Sequence, residues 1–110
     1  RTLRLYVVSK VADRPGAVYV APRTLSTQHP NRLRKVASAP SGLTDGVFLD
    51  RHRFVLRGYR TAWLYRSIGG RPRQFSLPSS GESVTSAWRR RHVFIGSEGR
   101  YSDIWRVRLP

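Results

Sequence analysis

The second half of this 110-residue chain repeats itself, and this repeat limits the possible folds more than any other feature of the sequence. Residues 44–66 (TDGVFLDRHRFVLRGYRTAWLYR) align with residues 81–107 (GESVTSAWRRRHVFIGSEGRYSDIWRV). In this alignment Asp45 lies opposite Glu82. A shorter third copy opens the chain, because residues 5–10 and 17–20 resemble strands of the two later units. A repeated sequence predicts an array of similar structural units that stack on one another.

The length and content of each unit predict β-propeller blades. The units contain short stretches of alternating apolar and polar residues, separated by turns rich in Gly and Pro. Their spacing of roughly 40 residues is typical of propeller blades. We therefore expect an all-β fold, a partial β-propeller of two to three four-stranded antiparallel blades in a single domain over residues 1–110. The blade pieces are expected at about 1–38, 44–77 and 82–108.

We expect three strands in the first unit, four in the second and three in the third. Their predicted positions are 3–8, 17–21, 33–36, 44–49, 53–58, 61–66, 72–77, 82–87, 91–96 and 102–108. In the first strand, Leu3, Leu5 and Val7 are expected to form the buried face, and Trp63 and Trp105 are expected to pack between blades. Two to three blades cannot close a ring. We therefore expect the remaining blades in a longer chain or in further copies of this one.

The charge of the chain has two interpretations. The formal net charge is +15, from 19 Arg and 2 Lys against 6 acids. A clustered set of cations predicts binding to nucleic acid or another anionic polymer, whereas a GC-rich genome would scatter Arg over solvent-facing positions. A nucleic-acid interface would use Arg51, Arg53, Arg89, Arg90 and Arg91, although the triple Arg falls in a predicted, solvated hairpin turn.

Other classes of site are disfavoured by composition. The chain has no Cys, which excludes disulfides and thiolate metal sites. No apolar run approaches the roughly 20 residues that span a bilayer. His29, His52 and His92 lack metal-ligand spacing, and no nucleophile-elbow motif is present. We therefore assign no catalytic residue and no metal ligand, and the sequence does not name a cofactor.

Several stretches of the sequence carry a family resemblance, most specifically 44–46 (TDG), 55–57 (VLR), 81–83 (GES) and 96–99 (GSEG). With them, the chain as a whole resembles the carboxy-terminal part of secreted β-propeller proteins of actinobacteria. Those proteins are akin to the six-bladed esterase-like phytase and strictosidine-synthase-like groups. The resemblance implies a propeller fold and an extracellular or cell-envelope location. The chain departs from the family pattern at two turns, where Asp50-Arg51-His52 and Arg89-Arg90-Arg91 replace the usual Asp-Gly.

In a propeller, ligands meet the loops at one end of the central channel. We expect a collar of charged and polar side chains there, able to bind a small polar or anionic ligand: Lys10, Asp45, Arg57, Tyr59, Glu82 and Glu98. Arg57 would be a bidentate donor to the ligand. Alternatively, the same charges form a salt-bridge network that fixes the register between blades.

Asp45 and Glu82 occupy equivalent positions in the alignment and carry a second open question. Equivalent acids around a ring would suit a hard cation. The alternative is that each carboxylate accepts backbone N–H groups of its own turn. We leave both interpretations open at this point.

The sequence therefore predicts binding of a ligand or partner at the mouth of a propeller channel. One alternative is a self-standing Arg-rich β module that binds nucleic acid or an anionic polymer. Another is a piece of a propeller hydrolase, which would need an acid or His from other blades. No enzymatic activity is assigned.

Overall fold

The computed structural model describes residues 4–86 and 91–110, which form ten β-strands in three antiparallel sheets. Sheet A contains β1 (Tyr6–Val8), β2 (Gly16–Val20) and β3 (Arg34–Ala39). Sheet B contains β4 (Asp45–Phe48), β5 (Phe54–Arg57), β6 (Thr61–Tyr65) and β7 (Arg73–Ser76). Sheet C contains β8 (Val84–Ser86), β9 (His92–Gly96) and β10 (Ile104–Arg108). The prediction of an all-β fold with three, four and three antiparallel strands is confirmed.

Within each sheet the strands pair in chain order, and sheet B lies between the other two. The four residues of β5 are all buried. Phe54 and Leu56 belong to the apolar core shared with sheet A, whereas Val55 belongs to the core shared with sheet C. Because side chains alternate across a strand, an unbroken apolar run is what a strand covered on both faces requires. β5 is therefore the centre of the molecule.

Each of the two cores joins one pair of sheets. The core between sheets A and B is aromatic in part, since the rings of Phe54 and Tyr65 stack with centroids 4.6 Å apart. Tyr6 of β1 reaches Phe48 of β4 across the same interface, at 5.7 Å between ring centroids. The core between sheets B and C is aliphatic and consists of Leu49, Val55, Ala62, Leu77, Val84, Val93 and Ile95.

The strand register defines two ends of the molecule. Asp45 pairs with Arg57 at one end of sheet B, and Phe48 pairs with Phe54 at the other. We call the first the Glu82 end; it carries the β1–β2, β5–β6 and β9–β10 turns and the two linkers between sheets. The second is the Arg51 end, which carries the β2–β3, β4–β5 and β6–β7 connections.

Two expectations about buried faces are wrong. Leu5 and Val7 are 52% and 39% exposed, whereas Tyr6 and Val8 pack against the core between sheets A and B. This strand has apolar residues on both faces, so the pattern does not decide which face is inside. Trp63 packs against that core as predicted, but Trp105 is 40% exposed because it lies on β10, an edge strand. Leu3 lies outside the described residues.

Candidate functional site

Glu82 joins groups from all three sheets at one place on the surface. Its Oε1 atom lies 3.5 Å from the Lys10 ammonium nitrogen and accepts a 3.4 Å hydrogen bond from the Tyr59 hydroxyl. Lys10 follows β1 in sheet A, Tyr59 lies in the β5–β6 turn of sheet B, and Glu82 precedes β8 in sheet C. The Lys10 and Glu82 side chains are 61% and 52% exposed. These three residues are the Glu82 cluster.

Arg57 lies beneath this cluster and is fully buried. Its Nε donates to Gly58 O at 2.9 Å, its Nη2 to Tyr59 O at 2.8 Å and its Nη1 to Ser83 O at 2.9 Å. Burial lowers the pKa of the guanidinium, and the nearby charge of Asp45 opposes that effect. Because a guanidinium stays protonated in proteins, a buried cation here holds three carbonyl groups.

Asp45 binds the same segment from the other side. Its Oδ1 accepts the backbone N–H of Gly46 at 2.8 Å, and its Oδ2 accepts the backbone N–H of Val84 at 2.8 Å. Arg57 and Asp45 therefore hold the carbonyl of Ser83 and the amide of Val84, which are adjacent along the chain. Together they bind the first strand of sheet C to sheet B.

The six predicted collar residues thus fall into an exposed group and a group that holds the backbone between sheets B and C. Lys10, Tyr59 and Glu82 meet at the surface, while Arg57 lies below with each nitrogen bonded to a backbone carbonyl. The guanidinium has no exposed surface, because its Nε, Nη1 and Nη2 all donate to backbone carbonyls inside the structure. Glu98 is exposed, and its backbone N–H donates to Ser80 O at 3.3 Å, which places it at the same end.

The predicted equivalence of Asp45 and Glu82 is wrong by one residue. Gly46 pairs with Leu56 in sheet B, and Val84 pairs with Ile95 in sheet C. Since Leu56 and Ile95 are the matching residues of the two second strands, Asp45 corresponds to Ser83. A one-residue shift moves a side chain to the opposite face of a sheet. Asp45 therefore points at sheet C and accepts an amide, whereas Glu82 stays at the surface.

A repeated contact of the linkers was not foreseen from the sequence. Gly42 donates its N–H to Val11 O at 2.6 Å, and Gly81 donates its N–H to Tyr59 O at 3.1 Å. Each Gly lies three residues before the first strand of the next sheet, and each acceptor lies in the turn after an earlier strand. The signal for this contact was present in the sequence, as one glycine at the same distance before β4 and β8.

A groove of about 350 Å³ lies between β1 of sheet A and β4 of sheet B. Its floor is apolar and includes Tyr6, Phe48 and Leu56, and Lys10 and Asp45 also line it. β1 pairs only with β2 in the described residues, so the edge of β1 beside this groove has open backbone groups.

A second, more open cleft of about 720 Å³ lies at the Arg51 end. Four charged residues line it: Asp50, Arg51, Arg53 and Arg66. His52, Leu64 and Pro110 complete the lining. Arg91 is also exposed. It lies near this cleft, since its carbonyl accepts the N–H of Leu109, which is next to Pro110 in the chain. Three of the five predicted nucleic-acid contacts therefore share one end of the molecule, and Arg89 and Arg90 lie outside the described residues.

The described residues were also searched for a cluster of metal ligands and for a membrane-spanning helix. In residues 4–86 and 91–110, no three Asp, Glu or His side chains come together as a metal site would require. The same residues contain no helix of the length and apolar character needed to cross a membrane.

Comparison with known proteins gives no further constraint. Family models, curated proteins and solved structures were all searched, and none matches this chain.

Proposed function

We propose that sheets A, B and C are successive blades of a β-propeller, and that the chain binds a small polar or anionic ligand at the Glu82 end. The strand order supports the first part, because each sheet is an antiparallel meander. The first strands of sheets B and C, β4 and β8, also contact each other, as the inner strands of neighbouring blades do. The equivalent Gly42 and Gly81 bonds repeat the same geometry at both linkers.

Sheet A supports the same proposal, because it has three strands and an open edge where a fourth strand would pair. The linker bonds make β1 the counterpart of β5, since Val11 and Tyr59 accept the equivalent glycine N–H groups. The counterpart of β4 would then lie along the free edge of β1, where the 350 Å³ groove runs. A strand there would complete a four-stranded blade.

Exposed apolar side chains on the two outer sheets also support the propeller proposal. Leu5 and Val7 on sheet A are 52% and 39% exposed, and Ile104 on sheet C is 77% exposed. Propeller blades cover such faces with neighbouring blades, from the same chain or another copy. The resemblance to secreted actinobacterial propellers, with its extracellular or cell-envelope location, belongs to this proposal.

The observation that carries the ligand-binding proposal is the convergence of three different polar groups on one exposed point. Lys10 supplies a cationic donor, Glu82 an anionic acceptor, and Tyr59 a hydroxyl that both donates and accepts. At 3.4 and 3.5 Å their mutual bonds are long and therefore weak. Arg57 and Asp45 bind the Ser83–Val84 peptide, so the backbone next to Glu82 is held in place. This set suits a ligand with both hydroxyl groups and an anionic group, such as a sugar acid.

The test is an NMR titration of the ¹⁵N-labelled protein with D-glucuronate, D-glucose and acetate. We expect D-glucuronate to shift the amide signals of the Glu82 cluster, because it offers a carboxylate to Lys10 and hydroxyls to Glu82. Glucose and acetate each offer half of those contacts and should bind more weakly. Lys10→Ala and Tyr59→Phe should each weaken glucuronate binding, whereas Lys35→Ala, an exposed cation on β3, should not.

Two results would oppose the proposal. One is the absence of shifts at the cluster with all three probes. The other is a set of shifts that Lys10→Ala and Tyr59→Phe leave unchanged.

A further inference from the structure

The two ends of the molecule carry very different charge. Five of the six acids lie at the Glu82 end, where they are matched by five basic residues: Lys10, Arg14, Arg57, Arg60 and Arg100. Twelve of the basic residues that the structure describes lie at the Arg51 end: Arg4, Arg23, Arg32, Arg34, Lys35, Arg51, Arg53, Arg66, Arg71, Arg73, Arg91 and Arg108. Only one acid, Asp50, accompanies them. Within residues 4–86 and 91–110, the excess of positive charge is therefore concentrated at the Arg51 end.

Asp50 does little to offset this positive charge. Its Oδ2 accepts the Nε–H of Arg53 at 2.7 Å, and its Oδ1 accepts the backbone N–H groups of His52 and Arg53 at 2.9 and 2.7 Å. These bonds, led by the backbone N–H of Arg53, hold the pKa of Asp50 well below its usual range. The carboxylate is thus fully engaged within its own turn and neutralises Arg53 alone.

The other arginines of the cleft remain available. Arg51 and Arg66 line the 720 Å³ cleft and are exposed, as is Arg91 beside it. In residues 4–86 and 91–110, no carboxylate lies within ion-pair distance of these three guanidinium groups. The cleft is open, and the molecule measures 42 × 33 × 29 Å, so a linear polymer has room to lie across this end.

We propose that the Arg51 end is a second binding surface, and that it binds the phosphate backbone of nucleic acid through Arg51, Arg66 and Arg91. Guanidinium groups match phosphate oxygens in a two-pronged geometry that ammonium groups lack. Phosphate contacts of this kind carry affinity and position, and they do not read base sequence. This surface lies opposite the Glu82 cluster, so the two proposals stand or fall separately.

The test is fluorescence anisotropy of a labelled DNA duplex titrated with the protein between 50 and 200 mM salt. The double variant Arg51→Ala/Arg66→Ala should reduce affinity by roughly tenfold or more, and should lower the slope of log affinity against log salt by about two, since each phosphate contact contributes about 0.9. The matched control is Arg14→Ala/Arg100→Ala, which removes the same charge from the Glu82 end. The control should keep both the affinity and the slope close to those of the unmodified protein.

A second probe separates phosphate recognition from simple attraction of opposite charges. Polyglutamate with the same number of charges should bind more weakly than DNA at every salt concentration. Circular dichroism confirms that each variant is folded, and the single variants Arg51→Gln and Arg66→Gln replace the double variant if it fails to fold. The proposal is overturned if both double variants lose the same affinity, if polyglutamate binds as tightly as DNA, or if the unmodified protein does not bind DNA at 50 mM salt.

Discussion

At the scale of single residues, Arg57 shows how the position of a charge decides its role. The sequence left two roles open, a ligand donor or a member of a network between blades. The structure buries Arg57 completely and bonds it to Gly58, Tyr59 and Ser83. Sequence alone does not decide between the roles, because the burial of Arg57 depends on how sheet C packs against sheet B. What could be predicted was a charged residue at the end of β5.

Replacing Arg57 by Lys should destabilise the protein strongly. A Lys keeps the charge, but its compact ammonium does not match the spread of the guanidinium fork, so at least one of the three carbonyls loses its charged donor. An unsatisfied buried polar group costs about 1–3 kcal/mol, and disturbing a buried charge adds to that. We expect a loss of about 3 kcal/mol, which corresponds to a fall of about 10 °C in Tm for a domain of this size. Thermal unfolding followed by circular dichroism measures it.

Arg60 provides the control for this substitution. It is exposed in the same turn, so Arg60→Lys should change Tm by no more than about 2 °C. An unchanged Tm for Arg57→Lys, combined with loss of glucuronate binding, would show that Arg57 contacts the ligand and that its role in stability is minor.

At the scale of elements, the sequence predicted the number, order and approximate position of the strands. Alternation of apolar residues and turns rich in Gly and Pro carry that information locally. It did not predict the inner face of β1 or the relation between β4 and β8. An alignment tolerates a shift of one residue, whereas hydrogen-bonded pairing does not. For that reason the sequence alignment matches Asp45 with Glu82, whereas the hydrogen-bonded strand register matches Asp45 with Ser83.

The linker before β8 yields a prediction about close packing. Gly81 is buried, donates its N–H to Tyr59 O, and has no room for a side chain because a Cβ would overlap the carbonyl oxygen of Gly96. Gly81→Ala should therefore push sheet C away from sheet B and lower the free energy of unfolding by about 2–3 kcal/mol. The midpoint of urea unfolding measures this change.

Gly69 is a matched control for the Gly81 substitution. It has a φ of +80°, and a Cβ added there would meet no atom within 4 Å. Asn tolerates that backbone conformation, so Gly69→Asn should leave the urea midpoint close to that of the unmodified protein. If Gly81→Ala is as well tolerated as Gly69→Asn, the linker is not packed as the structure has it.

At the scale of the whole molecule, the structure separates three surfaces. The Glu82 end has balanced charge and an exposed polar cluster, and the Arg51 end is strongly basic. The outer faces of sheets A and C expose apolar residues that the propeller proposal assigns to neighbouring blades. The propeller proposal depends most on these outer faces, because it requires neighbouring blades to cover them.

Sedimentation velocity of the 12.6 kDa chain tests the role of the outer faces most directly. If these faces require neighbours, the isolated chain should associate into species heavier than 12.6 kDa, and Val7→Lys and Ile104→Lys should each shift it toward the monomer. Arg60→Ala, which removes an exposed charge from the β5–β6 turn of sheet B and leaves both outer faces intact, should leave the distribution unchanged. A folded monomer that stays at 12.6 kDa at high concentration, with or without the two substitutions, would contradict the propeller account.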